Sequence, residues 1–496
     1  MRCALVLCIL AAGTAARADY MDHFVVRDDV GLRKSPSIGP AKLLLLPVEV
    51  AGFPPFDRAV LEQFYGPASG GFVDYYVTAS LGRFQPSVAV GPTITFGSCP
   101  LDETKFPGCA VPRGDPNSLA AGIDFVREVL RRADEAGVDF SAYDVNGRRG
   151  TPDGWVDGVM LLMNTPFGGV AFPFAYFNQG DDLAGGTGGA AKLDGVKIPL
   201  VALAGDSDSR VMIHEFGHLL GLTDLYDESS RYAGLYLSWM GAWGYGPDIP
   251  LPDAESRFRL RWGNWHQVQG KETVVIRPAD RTGDLVRVGT GDEYFLVENR
   301  GPGRYDTDLA ARGLAVYHVD RRVKLDGREG TFFNRLIDCV QCDPFHPYIR
   351  LQQADGLLDI ELGGAFNAEE DLFRPGDIFE GDAASFYSGA PSGFRLADIQ
   401  LLEDGSIRAT VEAPAEGQCG ESLCESGEGC VPASCGQQPQ PGPLGCGAVS
   451  GESALAAMCW ALLHRRARRQ RSGARQVEQL AGSHREGVGV PASIRG

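Results

Sequence analysis

The feature that most constrains this chain is a five-residue run, His214-Glu215-Phe216-Gly217-His218. On an α-helix each residue advances by about 100°, so His214 and His218 lie roughly 40° apart on one face. Two imidazoles at that spacing reach a single ion, and zinc takes histidine nitrogen at about 2.0–2.1 Å. Glu215 falls at the edge of the same face, next to a metal-activated water rather than on the metal. Met212, Ile213, Phe216, Leu219 and Leu220 cluster on the opposite face, and burying that face holds the histidines in place. A third protein ligand is needed if one coordination position is to stay open for water. Gly221 can end the helix with positive φ. Asp224 then stands at the third-ligand offset of the extended pattern H-E-x-x-H-x-x-G-x-x-(H/D).

The chain around this motif reads as several parts. Arg2, the apolar run Ala4 to Ala12, and Ala16-Arg17-Ala18 make residues 1–18 a signal peptide cut before Asp19. Residues 19–42 are a short N-terminal segment, 43–269 the metal-bearing catalytic domain, and 270–413 a β-rich part packed on it. Residues 414–445, rich in Pro, Gly, Gln and Cys, form a linker unable to build a core. Residues 446–471 are an anchor or sorting segment, and 472–496 a tail expected to be disordered. The fold class expected is α/β (α+β): a twisted sheet with an active-site helix, then the β-rich part.

Within the catalytic part, LLLLPVEV (43–50) reads as a buried strand, and Gly71 to Val90 mixes helical and strand signals around Gly82. Ser118 is expected to cap a helix reaching about Gly137, with Ile123, Val126, Val129 and Leu130 inward. Val156 to Met163 and Lys197 to Ala204 read as strands, and 164–195 as long loops. Beyond Gly270, TVVIRP, EYFLVENR, GLAVYHVD, YIRLQQADG and SIRATVEA are short β-like runs.

Charge narrows the function class. The total is −18, of which the first 18 residues carry +2 and the stretch from His464 onward +6, so the body between is more acidic still, at −26. So acidic a body argues against nucleic acid or anionic membrane as a partner, and no stretch reaches the roughly 20 apolar residues of a membrane span. Export makes disulfides available. Cys99 with Cys109, Cys339 with Cys342, and the group Cys419, Cys424, Cys430 and Cys435 are expected to form local disulfides.

HEFGHLLGLTDLYD, followed by Ser238-Trp239-Met240-Gly241, resembles the immune inhibitor A family of metallopeptidases, within the metzincin-like zincins. Met240 sits where that group places a methionine turn beneath the metal. LLLLPVEV, GFVDYYVTASLGRFQPSV, YDVNGRRGTPDGWVDGVMLLMN, YFLVENR, GLAVYHVD and LQQADGLLDIEL extend the resemblance from about Lys42 to Ala413. It implies a zincin-like fold and a secreted zinc protease, often calcium-stabilised, acting on protein or peptide substrates. Two departures stand out. The short stretch before Lys42 leaves no room for a large latency segment and carries no cysteine to block zinc. Gly234-Leu235-Tyr236-Leu237 has no carboxylate where some relatives place a glutamate, which favours Asp224 as third ligand with Asp227 in reserve.

Other features compete for function. Asp144, Asn146, Asp153 and Asp157 alternate with glycines, as calcium loops do, without the spacing of an EF-hand. A hydrated loop of Asx turns accounts for them equally well. Asp355, Asp359, Glu361, Glu370, Asp371 and Asp377 pose the same alternative, and His318 reads as a structural histidine. Cys446, the run Ala454 to Leu463 and the arginines after it resemble the tripartite sorting signals of myxobacterial exported proteins. Only transient membrane contact is expected there, and the protein is expected to be a monomer. The reading is therefore a secreted zinc endopeptidase. The alternative is a catalytically inactive zinc- or calcium-binding surface or adhesion protein on the same fold, against which Glu215 speaks.

Overall fold

The computed structural model describes residues 35–97, 116–147, 150–165, 169–172, 191–198, 201–205, 209–226, 235–241, 249–307, 309–325, 343, 345–358, 360–361 and 366–414. The chain divides into two units, residues 1–437 and 438–496, and every described residue belongs to the first. Residues 1–34 and 415–496, which hold the segments expected to be a signal peptide, linker and sorting segment, lie outside the described residues, as do all twelve cysteines, Asp227 and Asp359.

The first sheet runs in the order β2 (Phe84–Val90), β1 (Gly39–Val50), β4 (Val159–Met163), β8 (Val201–Gly205), β5 (Gly169–Phe172), with β3 (Ile94–Phe96) also on β1. All pairings are parallel except β5 on β8. A parallel sheet is covered on both faces, which is why β1 is almost uniformly apolar. Leu43 and Leu45 point into one cluster with Met160, Leu162, Ala202 and Ala204. Leu44 and Leu46 point into the other with Val159, Leu161 and Leu203. Helix α3 (Pro116–Glu135) covers that second face through Phe125, Val126, Val129 and Leu130. Helices α2 (Phe72–Ala79) and α4 (Ser209–Leu219) cover the first. The mixed reading of residues 71–90 resolves into α2, a turn with Gly82 at φ +74°, and β2.

Three expectations need correction. Helix α3 begins at Pro116, so Ser118 lies inside its first turn rather than capping it; proline suits the first helical position because its missing N–H would be orphaned there anyway. The single strand expected over 197–204 is two, β7 (Val196–Ile198) and β8, with Pro199 between them. Strand β7 instead hairpins with β6 (Ala191–Leu193) through Asp194 and Gly195, both at positive φ, the requirement of a tight hairpin turn. Residues 164–195 accordingly contain strands β5 and β6 as well as loops.

The β-rich part holds two further sheets. One has the order β14 (Ile349–Gln352), β13 (Gly313–Asp320), β12 (Glu293–Arg300), β11 (Asp284–Val288), β9 (Asn264–Gln267); the other, β10 (Lys271–Ile276), β16 (Ile407–Glu412), β15 (Arg395–Leu401). Strands β12 and β13 are buried along their whole length. Phe295, Val297, Leu314 and Val316 face the three-stranded sheet. Tyr294, Leu296, Tyr317 and Val319 face the layer that contains α4. The core behind the histidine helix therefore continues into the β-rich part, through α5 (Ala254–Leu260) among others. The observed class is mixed α/β with a parallel sheet, in the α+β arrangement. No helix among the described residues is long and apolar enough to cross a membrane.

Candidate metal centre

Helix α4 carries His214, Glu215 and His218, all buried, with Met212, Ile213, Phe216 and Leu219 packed into the core. Its position is set from several sides. The Tyr76 hydroxyl donates to Ile213 O at 2.7 Å, and Phe216 sits edge-on to Phe72 and Tyr76. Ser35 N donates to Leu219 O, a carbonyl the helix itself leaves without a partner. The helix ends at Gly221, with φ +89° as expected. Leu222 N donates to Gly217 O and Gly221 N to His218 O, the double closure of a Schellman turn. That turn sends the chain back past the helix face and delivers Asp224.

Among the described residues one group of histidine and carboxylate side chains comes close enough to hold an ion: His214, His218 and Asp224, with ligand atoms within 4.8 Å of one another. Asp224 Oδ1 lies 2.9 Å from His214 Nε2 and 3.6 Å from His218 Nε2. Corners of a tetrahedron with bonds of about 2.05 Å are about 3.3 Å apart, between those two values. The other ring nitrogens explain why Nε2 faces inward. His214 Nδ1 is 2.9 Å from Trp239 O, and His218 Nδ1 is 3.1 Å from Leu222 O. A carbonyl only accepts, so each Nδ1 is the donor and each neutral ring turns an Nε2 lone pair toward Asp224.

Asp224 Oδ1 is buried and forms no hydrogen bond of proper geometry, although two nitrogens crowd it. Three lone pairs converging in a buried place repel one another unless a cation lies between them. A proton does this partly. Burial disfavours a charged His214, but the Asp224 carboxylate outweighs it and raises the pKa above the usual histidine value. A divalent ion does it fully, and two imidazole nitrogens with one carboxylate oxygen suit zinc. By donor chemistry the residues fit such an ion.

Met240 lies beneath the helix. A β-carbon added to Gly217 would meet Met240 Sδ at 2.5 Å, so the second variable position of the motif is held to glycine by the methionine. The turn that carries Met240 closes tightly: a β-carbon on Gly241 would lie 1.8 Å from Leu235 O. It is also tied to the segment that carries Asp224, since Leu225 N donates to Met240 O and Leu235 N to Leu225 O. Tyr226, absent from the sequence-based candidates, stacks on His214 at 6.1 Å between ring centroids. Its signal was its place two residues after the third ligand, where a chain reversing past the helix brings it back over the first histidine.

The other candidates have different fates. Asp144 accepts from Asp153 N and Gly154 N, Asp157 from Lys42 N and Asn146 N, and Asn146 donates to Ile38 O. These groups join the loop to β1 and to itself, and with Asp153 they do not converge on a point. Asp355, Asp371 and Asp377 accept backbone N–H groups nearby, and Glu361 accepts from Gln353. His318 is a satisfied structural histidine: Nε2 is 3.0 Å from Glu293, and the ring is stacked between Phe295 and Tyr387. Compared with known proteins, the chain matches no protein-family model and no curated protein.

Proposed function

We propose that this chain is a zinc-dependent endopeptidase on a zincin-like domain, with the ion held by His214, His218 and Asp224. The observation that carries this reading is the convergence of ligand atoms of His214, His218 and Asp224 in a buried place, with each Nδ1 turned to a backbone carbonyl. Zinc, when bound there, supplies a Lewis acid that acidifies water and polarises a peptide carbonyl. Glu215 follows His214 directly, is buried, and acts on His214 electrostatically. Its carboxylate takes the proton from an attacking water and passes it to the leaving amine. The resemblance of HEFGHLLGLTD and Ser238-Trp239-Met240-Gly241 to immune inhibitor A peptidases supports the same reading. Ala16-Arg17-Ala18 supports export, which places the substrates, proteins and peptides, outside the cell. Calcium is not part of the proposal: among the described residues the carboxylates nominated for it form no three-donor cluster.

Zinc content and casein hydrolysis, measured on the purified protein and its Glu215→Ala variant, test this. One zinc per chain in both, with hydrolysis only in the parent, is the expected result. Zinc without hydrolysis in the parent would favour an inactive zinc-binding surface protein. A parent that takes up no zinc overturns both.

A further inference from the structure

Resting on the zinc reading, we infer that Arg300, at the end of β12 in the β-rich part, is a positioning residue for the metal centre. Arg300 is fully buried, and its Nη1 donates to Leu237 O at 3.0 Å. Leu237 opens the turn of Ser238, Trp239 and Met240. Two residues on, Trp239 O receives His214 Nδ1. Three residues on, Met240 O receives Leu225 N, the neighbour of Asp224. One short turn thus orients the first ligand and fixes the segment that carries the third, and the guanidinium grips its leading carbonyl.

The grip is itself rigid. Nε and Nη2 of Arg300 form a two-pronged pair with Asp306 at 2.9 and 2.8 Å, and Nη1 also reaches Glu298 at 3.0 Å. Asp306 Oδ1 accepts from Leu251 N at 3.2 Å, which fixes the carboxylate in turn. The pair with Asp306 holds the planar guanidinium in place, and its Nη1 is then shared among Leu237 O, Glu298 and, at 3.4 Å, Pro252 O. Asp253, which accepts from Ser238 Oγ at 2.6 Å, secures the same turn from the next segment. Residues far from the histidine motif in sequence therefore determine where its ring nitrogens point.

Zinc affinity of folded protein tests this, by chelator competition and by the visible spectrum of the cobalt-loaded form, so that peptidase activity is not needed. Arg300→Lys keeps the charge but cannot hold Asp306 and Leu237 O together. The pair Arg300→Met with Asp306→Leu removes the grip together with one carboxylate, and leaves Glu298 to the Tyr317 hydroxyl and Arg257. Arg257→Lys is the control for the shared network: Arg257 is equally buried and shares Pro252 O and Glu298 with Arg300, yet has no hydrogen bond to the turn. Losing a direct hydrogen-bond partner of a ligand lowers metal affinity by about 10- to 100-fold, and Arg300, one bond further out, is expected to cost the lower end of that range, about 10-fold. That loss is expected in the double variant, a smaller one in Arg300→Lys, and none in Arg257→Lys. Unchanged affinity at Arg300, or an equal loss in the Arg257 control, overturns the inference. If the double variant does not fold, Arg300→Lys decides alone. A parent without zinc affinity fails the proposed function instead, and is recognised before any variant is made.

Discussion

The proposed metal centre and the loop from Asp144 to Asp157 look alike as sequence, since both gather oxygen or nitrogen donors around glycines. They differ in which lone pairs are already committed. At the centre, backbone carbonyls occupy the Nδ1 side of each ring, so Nε2 and the Asp224 carboxylate are left facing one another. In the loop, backbone N–H groups occupy the carboxylate oxygens of Asp144 and Asp157 themselves. Donor composition is thus a poor guide to a metal site. The useful question is what each donor's other edge is bonded to.

The largest expected break in this contrast is chemical. Glu215→Ala should cut turnover by about 10²–10⁴-fold, the usual worth of a positioned proton carrier, with zinc stoichiometry unchanged. Activity near that of the parent would remove Glu215 from the mechanism.

Next comes ligand identity. Asp224→Ala should lower zinc affinity by more than the 10- to 100-fold typical of an outer-shell loss, while Asp227→Ala changes it little. The opposite order would pass the third-ligand role to Asp227. Asp144→Ala should do the reverse of Asp224→Ala, leaving zinc binding intact but stranding two N–H groups. Because both donors are only partly buried, that costs about 0.5–1.5 kcal/mol for each lost hydrogen bond, read from denaturant unfolding. A calcium-dependent loss in Asp144→Ala would instead restore the loop as an ion site.

A smaller effect sharpens the packing under the centre. Gly217→Ala should gain up to about 1 kcal/mol of helix propensity, yet lose about 1–3 kcal/mol to the contact with Met240 Sδ. In a Met240→Ala background, itself destabilised by a core cavity, the further loss on Gly217→Ala should disappear. A stabilised single variant would show that the methionine yields freely.

The smallest effect is in pH. Burial raises the Asp157 pKa to about 6, despite the backbone N–H groups from Lys42 and Asn146 that favour its charge. The unfolded value is near 3.9, so between roughly pH 4 and 6 the folded state holds the proton more tightly. The contribution of this group to stability is then fully present below pH 4 and is lost as pH rises through 6. Melting temperature against pH should show that slope in the parent and not in Asp157→Asn; equal slopes would place the charge elsewhere.

Much was legible without coordinates. A helix with histidines four apart and an apolar back can bury only one way, so the burial of Met212, Phe216 and Leu219 followed from spacing. The positive φ of Gly221 followed from the need to turn back. EYFLVENR and GLAVYHVD read as strands and are strands β12 and β13 over those same residues. Proline and hairpin chemistry at Asp194, Gly195 and Pro199 was written in the chain as well, but the apolar run across 197–204 masked it.

What the sequence alone determined was local: which segments become helix or strand, and which donors share a face. Periodicity and turn chemistry act over a few residues and need no partner. The tertiary structure decided which lone pairs remain available, because that depends on contacts between distant segments. Trp239 O reaches His214 Nδ1 across 25 positions, and Arg300 Nη1 reaches Leu237 O across 63. No periodicity in the chain encodes such a pairing; it arises when the sheets and helices bury their apolar faces in one core and every buried polar group must find its partner there.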